Sequence, residues 1–359
     1  MAGVLMSGRT KTVVAMVLLL GAALVWFVRL SRWSELRYGP PVVRTSGGSE
    51  LPGTVVLPYA ECPIADGVNA VWCASFQIAW NELCDVLGGP VAPNHSSEMV
   101  GLLNAGSAAE SDLEAGSYVA AAGYPTDDAD DILGRVTESL GRTFQGPAYP
   151  KVLPDRTSLD PAQWLAYSYL YKALRFQWPF ERWASPVTFA GREVQVFGIS
   201  RFSSNNVRQV RAAGQVLVHD YRGEADFIVE LKTAANSARV ILARLEPAAT
   251  LAETIEFVYG RIAQATPHSL SAGSSLLVPL VDLDLVRHYT ELSSLGVAVQ
   301  HIRVTFDEPG DVAASPGGSA AGSGRRFVFD GPFLVMIQNR RARSPYVAIW
   351  VANAELLAP

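Results

Sequence analysis

Two apolar runs near the end of the chain, residues 333–337 and 346–352, are joined by a basic turn over 339–344. A strand with one wet face alternates apolar and polar residues; neither run does. Both are therefore predicted to be strands covered on two faces. A buried hairpin of this kind closes a core whose other walls come from distant segments, so the preceding chain has to supply them.

The 359 residues are 49% apolar and 18% charged, enough for one large domain or two ordinary ones. The net charge of −5 and the lack of a strongly basic block argue against nucleic-acid binding as a main role. The Ala, Arg, Gly and Val bias fits a GC-rich bacterial genome. The three cysteines, Cys62, Cys73 and Cys84, lack zinc-site spacing. Cys73 and Cys84 on one helix would sit about 16 Å apart, too far for a bridge. Cys62 could pair with either one in an exported domain; otherwise all three are buried thiols.

An unbroken apolar run of sixteen residues covers 13–28, preceded by Arg9 and Lys11 and followed by Arg29, Arg32 and Arg37. With Thr12 and Leu30 it approaches the roughly 17 to 20 residues a spanning helix needs. Trp26 and Trp33 would sit near an interface. The reading is a basic N-terminus over 1–12, then a transmembrane signal anchor over 13–30. The globular domain would be extracytoplasmic and the protein would contact a membrane. The alternative is a cleaved signal peptide and a secreted protein, although no small-x-small cleavage site ends the run. Residues 31–61, rich in Gly, Pro and Ser, read as a flexible linker to a folded domain over 62–359.

Within that domain, 69–87 is predicted to end as a buried helix stopped by Gly88. A shorter helix is expected over 96–103 and a strand over 118–124. The acidic run Asp127 to Asp131 is read as the start of a helix over 128–143 rather than as a metal site, because carboxylates cap the free N–H groups there. Residues 161–176 read as helix, then as an aromatic-rich strand from Tyr167. Strands are expected over 194–201, 209–220, 226–231, 239–245, 276–286 and 300–306. Helices are expected over 251–265 and 287–295. The Gly/Ser/Ala segment 309–324 is expected to be an exposed loop.

No dinucleotide fingerprint, phosphate loop, zinc-protease motif or nucleophile elbow occurs. The stretch Gly318-Ser319-Ala320-Ala321-Gly322 has the wrong spacing for an elbow. The five histidines are scattered and read as structural. Neither catalysis nor a cofactor is expected. Asn94-His95-Ser96 is a sequon that matters only in a glycosylating host.

Four stretches, in this order, carry a resemblance. Ala173-Leu174-Arg175-Phe176-Gln177-Trp178-Pro179-Phe180 is similar to a strand end Ala-x-x-Phe-x-x-Trp-x-x-Pro-Phe, shortened by three. Val216 to Gly223 followed by Phe227 to Leu231 resembles a Leu-x-Leu-Pro-Tyr-x-Gly hairpin. Val278-Pro279-Leu280 followed by Tyr289 to Gly296 resembles a Pro-Lys-Phe strand and a Leu-x-x-Leu-Gly helix. Phe327-x-x-Asp330-x-Pro332-Phe333-Leu334-x-x-Ile337 is similar to Phe-x-Ala-Asp-His-Pro-Phe-x-x-x-Ile. Together they resemble the serpin family over about 66–359. The resemblance implies an α+β fold of large mixed β-sheets with a helix-rich N-terminal half, here preceded by the transmembrane helix.

In inhibitory members of that family a hinge and a long exposed loop follow the last strand of the main sheet, and after cleavage the hinge inserts into that sheet. Here the corresponding positions run Asp307-Glu308-Pro309-Gly310-Asp311-Val312-Ala313-Ala314-Ser315-Pro316-Gly317-Gly318. Proline cannot donate to a ladder, and glycine weakens a strand. Only sixteen residues separate Gly310 from Phe327, a short loop for the family. The candidate reactive-loop residues are Glu308, Pro309, Gly310, Ala313, Ala314, Arg325 and Arg326. The preferred expectation is a membrane-anchored, non-inhibitory binding or structural module. The alternative is a serine-type protease inhibitor using 309–326 as bait. In either case the partner, a protease or another protein, would be met through that loop.

Overall fold

Residues 44–45, 51–92, 97–126, 131–150, 153–154, 159–183, 186–235, 237–306, 312–313 and 324–359 are described in the computed structural model. All of them fall in one unit running from Val43 to Pro359.

The elements follow in chain order. Strands β1 (Arg44–Thr45), β2 (Thr54–Leu57) and β3 (Asn69–Cys73) come first. Helices α1 (Ser75–Leu87) and α2 (Ser97–Ala105) lead to β4 (Tyr118–Gly123), α3 (Ile132–Thr143) and β5 (Trp164–Leu174). Four short strands follow: β6 (Glu181–Trp183), β7 (Val187–Phe189), β8 (Arg192–Val194) and β9 (Val196–Ile199). Helix α4 (Val207–Ala213) precedes β10 (Val216–Gly223), β11 (Asp226–Lys232) and β12 (Ala238–Arg244). Helix α5 (Leu251–Gln264) is followed by β13 (His268–Ser269), β14 (Ser275–Pro279), β15 (Asp282–His288) and β16 (Gly296–Phe306). The chain closes with β17 (Val312–Ala313), β18 (Arg326–Val328), β19 (Phe333–Asn339) and β20 (Val347–Val351).

These strands build a main sheet of order β1-β15-β16-β5-β4, an eight-stranded sheet β13-β10-β11-β12-β19-β20-β3-β2, a third sheet β17-β6-β9-β14-β18, and the pair β7-β8. The terminal hairpin is the antiparallel pair β19–β20, central in the eight-stranded sheet. Its alternate side chains enter two cores. Phe333, Val335, Ile337, Val347, Ile349 and Val351 face the large core shared with the other sheets. Leu334, Met336, Ala348 and Trp350 lie under α5, against Leu251, Ile255 and Val258. Two covered faces explain why these strands carry no polar alternation.

Several expectations differ from the structure, and the strand expected over 276–286 is two strands, β14 in the third sheet and β15 in the main sheet, separated at Leu280 and Val281. The strand expected from Tyr167 begins at Trp164 with no helix before it, because 164–170 are buried on both sides of the main sheet. The start of the predicted strand 209–220 is instead α4, whose Asn206 side chain accepts from the N–H groups of Arg208 and Gln209. The helix expected over 287–295 is the end of β15 plus a single 3₁₀ turn, Thr290–Leu292. Gly296 opens β16 rather than stopping a helix. The acidic run resolves as expected at its end: Asp131 accepts from Gly134 N–H at 3.2 Å and caps α3, while residues 127–130 lie outside the described residues. The span read as linker ends in β2, which pairs in parallel with β3 from Thr54↔Asn69 to Leu57↔Trp72. All three cysteines are free thiols. Burial pushes the Cys73 thiol up to about 11.

The membrane readings require correction. No helix among the described residues is long and apolar enough to cross a membrane. The longest of them, α5, has 14 residues and one polar face, against about 20 apolar residues for a span. The run 13–30 lies outside the described residues. The transmembrane helix, the membrane contact and the single-pass placement built on it are withdrawn.

Candidate functional site

The site is the seam between β5 and β16 with the loop that leaves it. The two strands lie side by side in parallel with unbroken register from Gly296↔Trp164 to Phe306↔Leu174. No other strand lies between them. On the face toward α1 the seam is closed by buried polar contacts. Gln300 donates to the Cys73 carbonyl at 3.1 Å and accepts from the Tyr289 hydroxyl at 2.6 Å. Ser75 donates to Ser168 at 3.4 Å. On the opposite face lie Tyr167, Tyr169, His301, Arg303 and Asp284. Burial pushes the Tyr167 and Tyr169 hydroxyls well above their usual range, so both stay neutral; Tyr169 donates to the Ala148 carbonyl at 2.8 Å, and Tyr167 Oη has no hydrogen-bond partner among the described residues.

The loop leaves β16 at Phe306, whose N–H donates to Val281 at 2.9 Å and whose ring meets Phe197 edge-on. Of the candidate reactive-loop residues, Glu308, Pro309, Gly310 and Ala314 lie outside the described residues. Ala313 does not enter the main sheet: with Val312 it pairs in parallel with Arg182 and Trp183 of β6, at the edge of the third sheet.

The far end is tied down residue by residue. Gly324 passes so close to Gly273 that a Cβ on it would fall 2.2 Å from the Gly273 carbonyl carbon, so only glycine fits. Arg325 donates its N–H to the Ser274 hydroxyl at 3.2 Å, and its carbonyl accepts from Ser275 N–H at 3.0 Å. Its guanidinium lies over Tyr221 and 3.2 Å from His268 Nε2. Arg326 opens β18 and reaches Glu224 at 3.4 Å. Both members of that pair are more than half exposed, so the pair adds little stability. Anchorage comes instead from Phe327 and Phe329, buried against Phe227 at 5.3 and 5.0 Å. Sequence reasoning singled out the two arginines. It missed Ser274, Ser275, Tyr221 and His268, which hold them, because nothing in their local sequence marks them as partners of residue 325.

Among the described residues no group of three or more His, Cys, Asp or Glu side chains is placed to hold a metal ion. Two histidines pair with carboxylates in buried positions, His219 with Glu230 at 3.1 Å and His301 with Asp284 at 2.5 Å. Among the described residues the Nδ1 atoms of both histidines have no hydrogen-bond partner.

Neither a protein-family model nor a curated protein matches the chain. Among solved structures it is similar to a crystal structure of maspin, with 11% identity and a TM-score of 0.51 over 79% of this chain and 91% of that one. It is similar to the Manduca sexta serine protease inhibitor (serpin)-12, with 11% identity and a TM-score of 0.50 over 81% of this chain and 94% of that one. At such identity the likeness is one of fold: the domain is serpin-like and divergent. The bacterial source read from composition gains no support and is not carried forward.

Proposed function

We propose that this serpin-like domain is a non-inhibitory binding module whose loop does not enter its main sheet. One observation carries the reading. The seam runs for eleven register positions, and a strand inserted there must offer N–H groups to neighbours on both sides. The eleven residues that follow Phe306, from Asp307 to Gly317, include Pro309 and Pro316 and the two glycines Gly310 and Gly317. Two donors are missing, and two positions carry no side chain to pack against the buried faces. The docking of Val312–Ala313 on β6 and the double backbone tie of Arg325 agree with this. A scissile peptide has to be pulled out as an extended strand, and Arg325 is already committed to Ser274 and Ser275.

The test is incubation of the purified chain with trypsin-like proteases. Expected are simple cleavage or resistance, no covalent complex surviving denaturant, and no rise in Tm after any cut between 307 and 326. A denaturant-stable complex, or a cleaved form that melts well above the intact one, would overturn the proposal and favour the inhibitory reading.

A further inference from the structure

Helix α4 packs beside β9 of the third sheet and leaves one apolar face bare. Its buried residues are Gln209, Ala212 and Ala213. Val207, Val210 and Arg211 stand three and four positions apart, so they share the opposite face. Val207 is 65% exposed and Val210 42%. The face continues beyond the helix, because the Arg211 guanidinium lies 4.4 Å over the ring of Trp178, itself 38% exposed. Apolar side chains exposed singly are ordinary on a surface. Here three of them gather round one arginine.

The patch is held stiff. The buried Gln215 side chain accepts from Trp178 N–H at 3.2 Å and donates to the Trp178 carbonyl, which ties the tryptophan to the end of α4. Tryptophan and arginine often carry the binding energy of an interface, and side chains fixed beforehand lose less entropy on binding. The local charge is also opposite to that of the whole chain. Between Glu193 and Asp220 the sequence holds Arg201, Arg208 and Arg211 and no carboxylate, in a chain of net charge −5. All three arginines are exposed. Glu181 of β6 meets the buried residue of the helix, accepting from Gln209 at 3.2 Å. An acidic partner is thus drawn to this patch and repelled by the chain as a whole, which fixes where it docks. At 1.5 Å per residue α4 is about 10 Å long, the reach of about three residues of extended chain. That footprint suits a peptide better than a membrane.

We propose that α4 and Trp178 form a docking surface for an acidic peptide segment of a partner protein. Its apolar side chains seat on Val207, Val210 and Trp178, and its carboxylates face the surrounding arginines. The proposal deepens the binding-module reading and rests on it, yet the two fail separately: protease incubation reads the loop, and peptide binding reads α4.

The test is to pan a phage library of short random peptides on the intact chain and to titrate the selected peptides by fluorescence anisotropy. Expected are sequences with Leu, Phe or Trp flanked by Asp or Glu, bound more weakly as salt rises. Val207→Asp and Trp178→Ala should each weaken binding about tenfold, whereas Val86→Asp, exposed on α1, should leave it unchanged. Val207→Ser replaces Val207→Asp if the added charge lowers Tm. The proposal is overturned if no peptide is enriched, if the selected peptides are neutral or basic, or if they bind the α4 variants as tightly as wild type. Binding of phosphatidylserine vesicles in place of any peptide, lost in the same variants, would identify a lipid surface and overturn it as well.

Discussion

At the scale of single residues, burial alone is a poor guide to charge. Burial pushes the Glu230 carboxyl up, but the hydrogen bond from His219 and the nearby charges of Arg239 and Arg340 outweigh it and hold the group below its ordinary range. The distances are 3.1 Å to His219, 3.6 Å to Arg239 and 3.7 Å to Arg340. A carboxyl whose folded value lies below its unfolded value of about 4.3 adds stability above that pH and loses it as pH falls through the folded value. Glu230→Gln is therefore expected to cost about 1 to 3 kcal/mol at pH 7, since it replaces a buried charged acceptor, held by His219 and by the partly exposed Arg239 and Arg340, with a neutral amide. Denaturant curves of variant and wild type should converge between about pH 5 and pH 3; curves that stay parallel would remove the charge argument. Asn69 makes a second case. Its carbonyl oxygen accepts from Ala352 and Asn353 N–H at 2.7 and 2.9 Å, and its amide donates to Thr54 and Asn353. Asn69→Leu strands two buried N–H groups at about 1 to 3 kcal/mol each, a loss that urea unfolding reads directly. In the sequence Asn69 is merely the polar residue before an apolar run. Its role depends on a partner some 284 positions away, which no local pattern encodes.

At the scale of elements, legibility followed periodicity and caps. Helix α5 was readable because Ile255, Val258 and Ile262 recur at helical spacing; its reciprocal capping box of Thr250 with Glu253, at 3.1 and 3.2 Å, came only with the structure. Thr250→Ala should cost about 1 kcal/mol, and a midpoint unchanged in urea would show that packing on the eight-stranded sheet alone holds the helix start. The terminal hairpin was readable because both its faces are covered and its runs are uninterrupted. The same property hid the beginning of β5. Trp164, Leu165 and Ala166 are buried on alternating sides, toward α1 and α3 respectively, and a continuous apolar run does not distinguish strand from helix. Four ordered motifs made the serpin-like fold legible, whereas composition alone marked the candidate loop. Its holding residues were not legible, because parallel pairing of β18 with β14 joins segments fifty-one positions apart.

At the scale of the molecule, the three larger sheets depend on the chain's last residues more than their length suggests. Beyond β20, the Glu355 carboxylate accepts from Gly53 N–H at 3.1 Å and from the Thr54 hydroxyl at 2.8 Å, at the edge strand of the eight-stranded sheet. Leu356, Leu357 and Ala358 are buried. Leu357 bridges Val281, which leads into β15 of the main sheet. Ala358 N–H donates to Leu280 at 2.8 Å and its carbonyl accepts from Gln195 N–H at 2.9 Å, where β9 and β14 of the third sheet pair. One short segment thus touches all three sheets. Burying two leucine side chains is worth about 1.5 to 3 kcal/mol each, and the backbone groups left unpaired at Leu280 and Gln195 add to the loss. The sum is of the order of a whole domain's stability. Truncation after Asn353 is therefore expected to abolish cooperative thermal unfolding. Removal of Pro359 alone, whose carbonyl accepts only an exposed bond from Gln195 at 2.7 Å, should leave Tm nearly unchanged. Calorimetry on the two truncations decides the matter: a cooperative transition close to the full-length Tm in the longer deletion would mean that the sheets hold together without this tie.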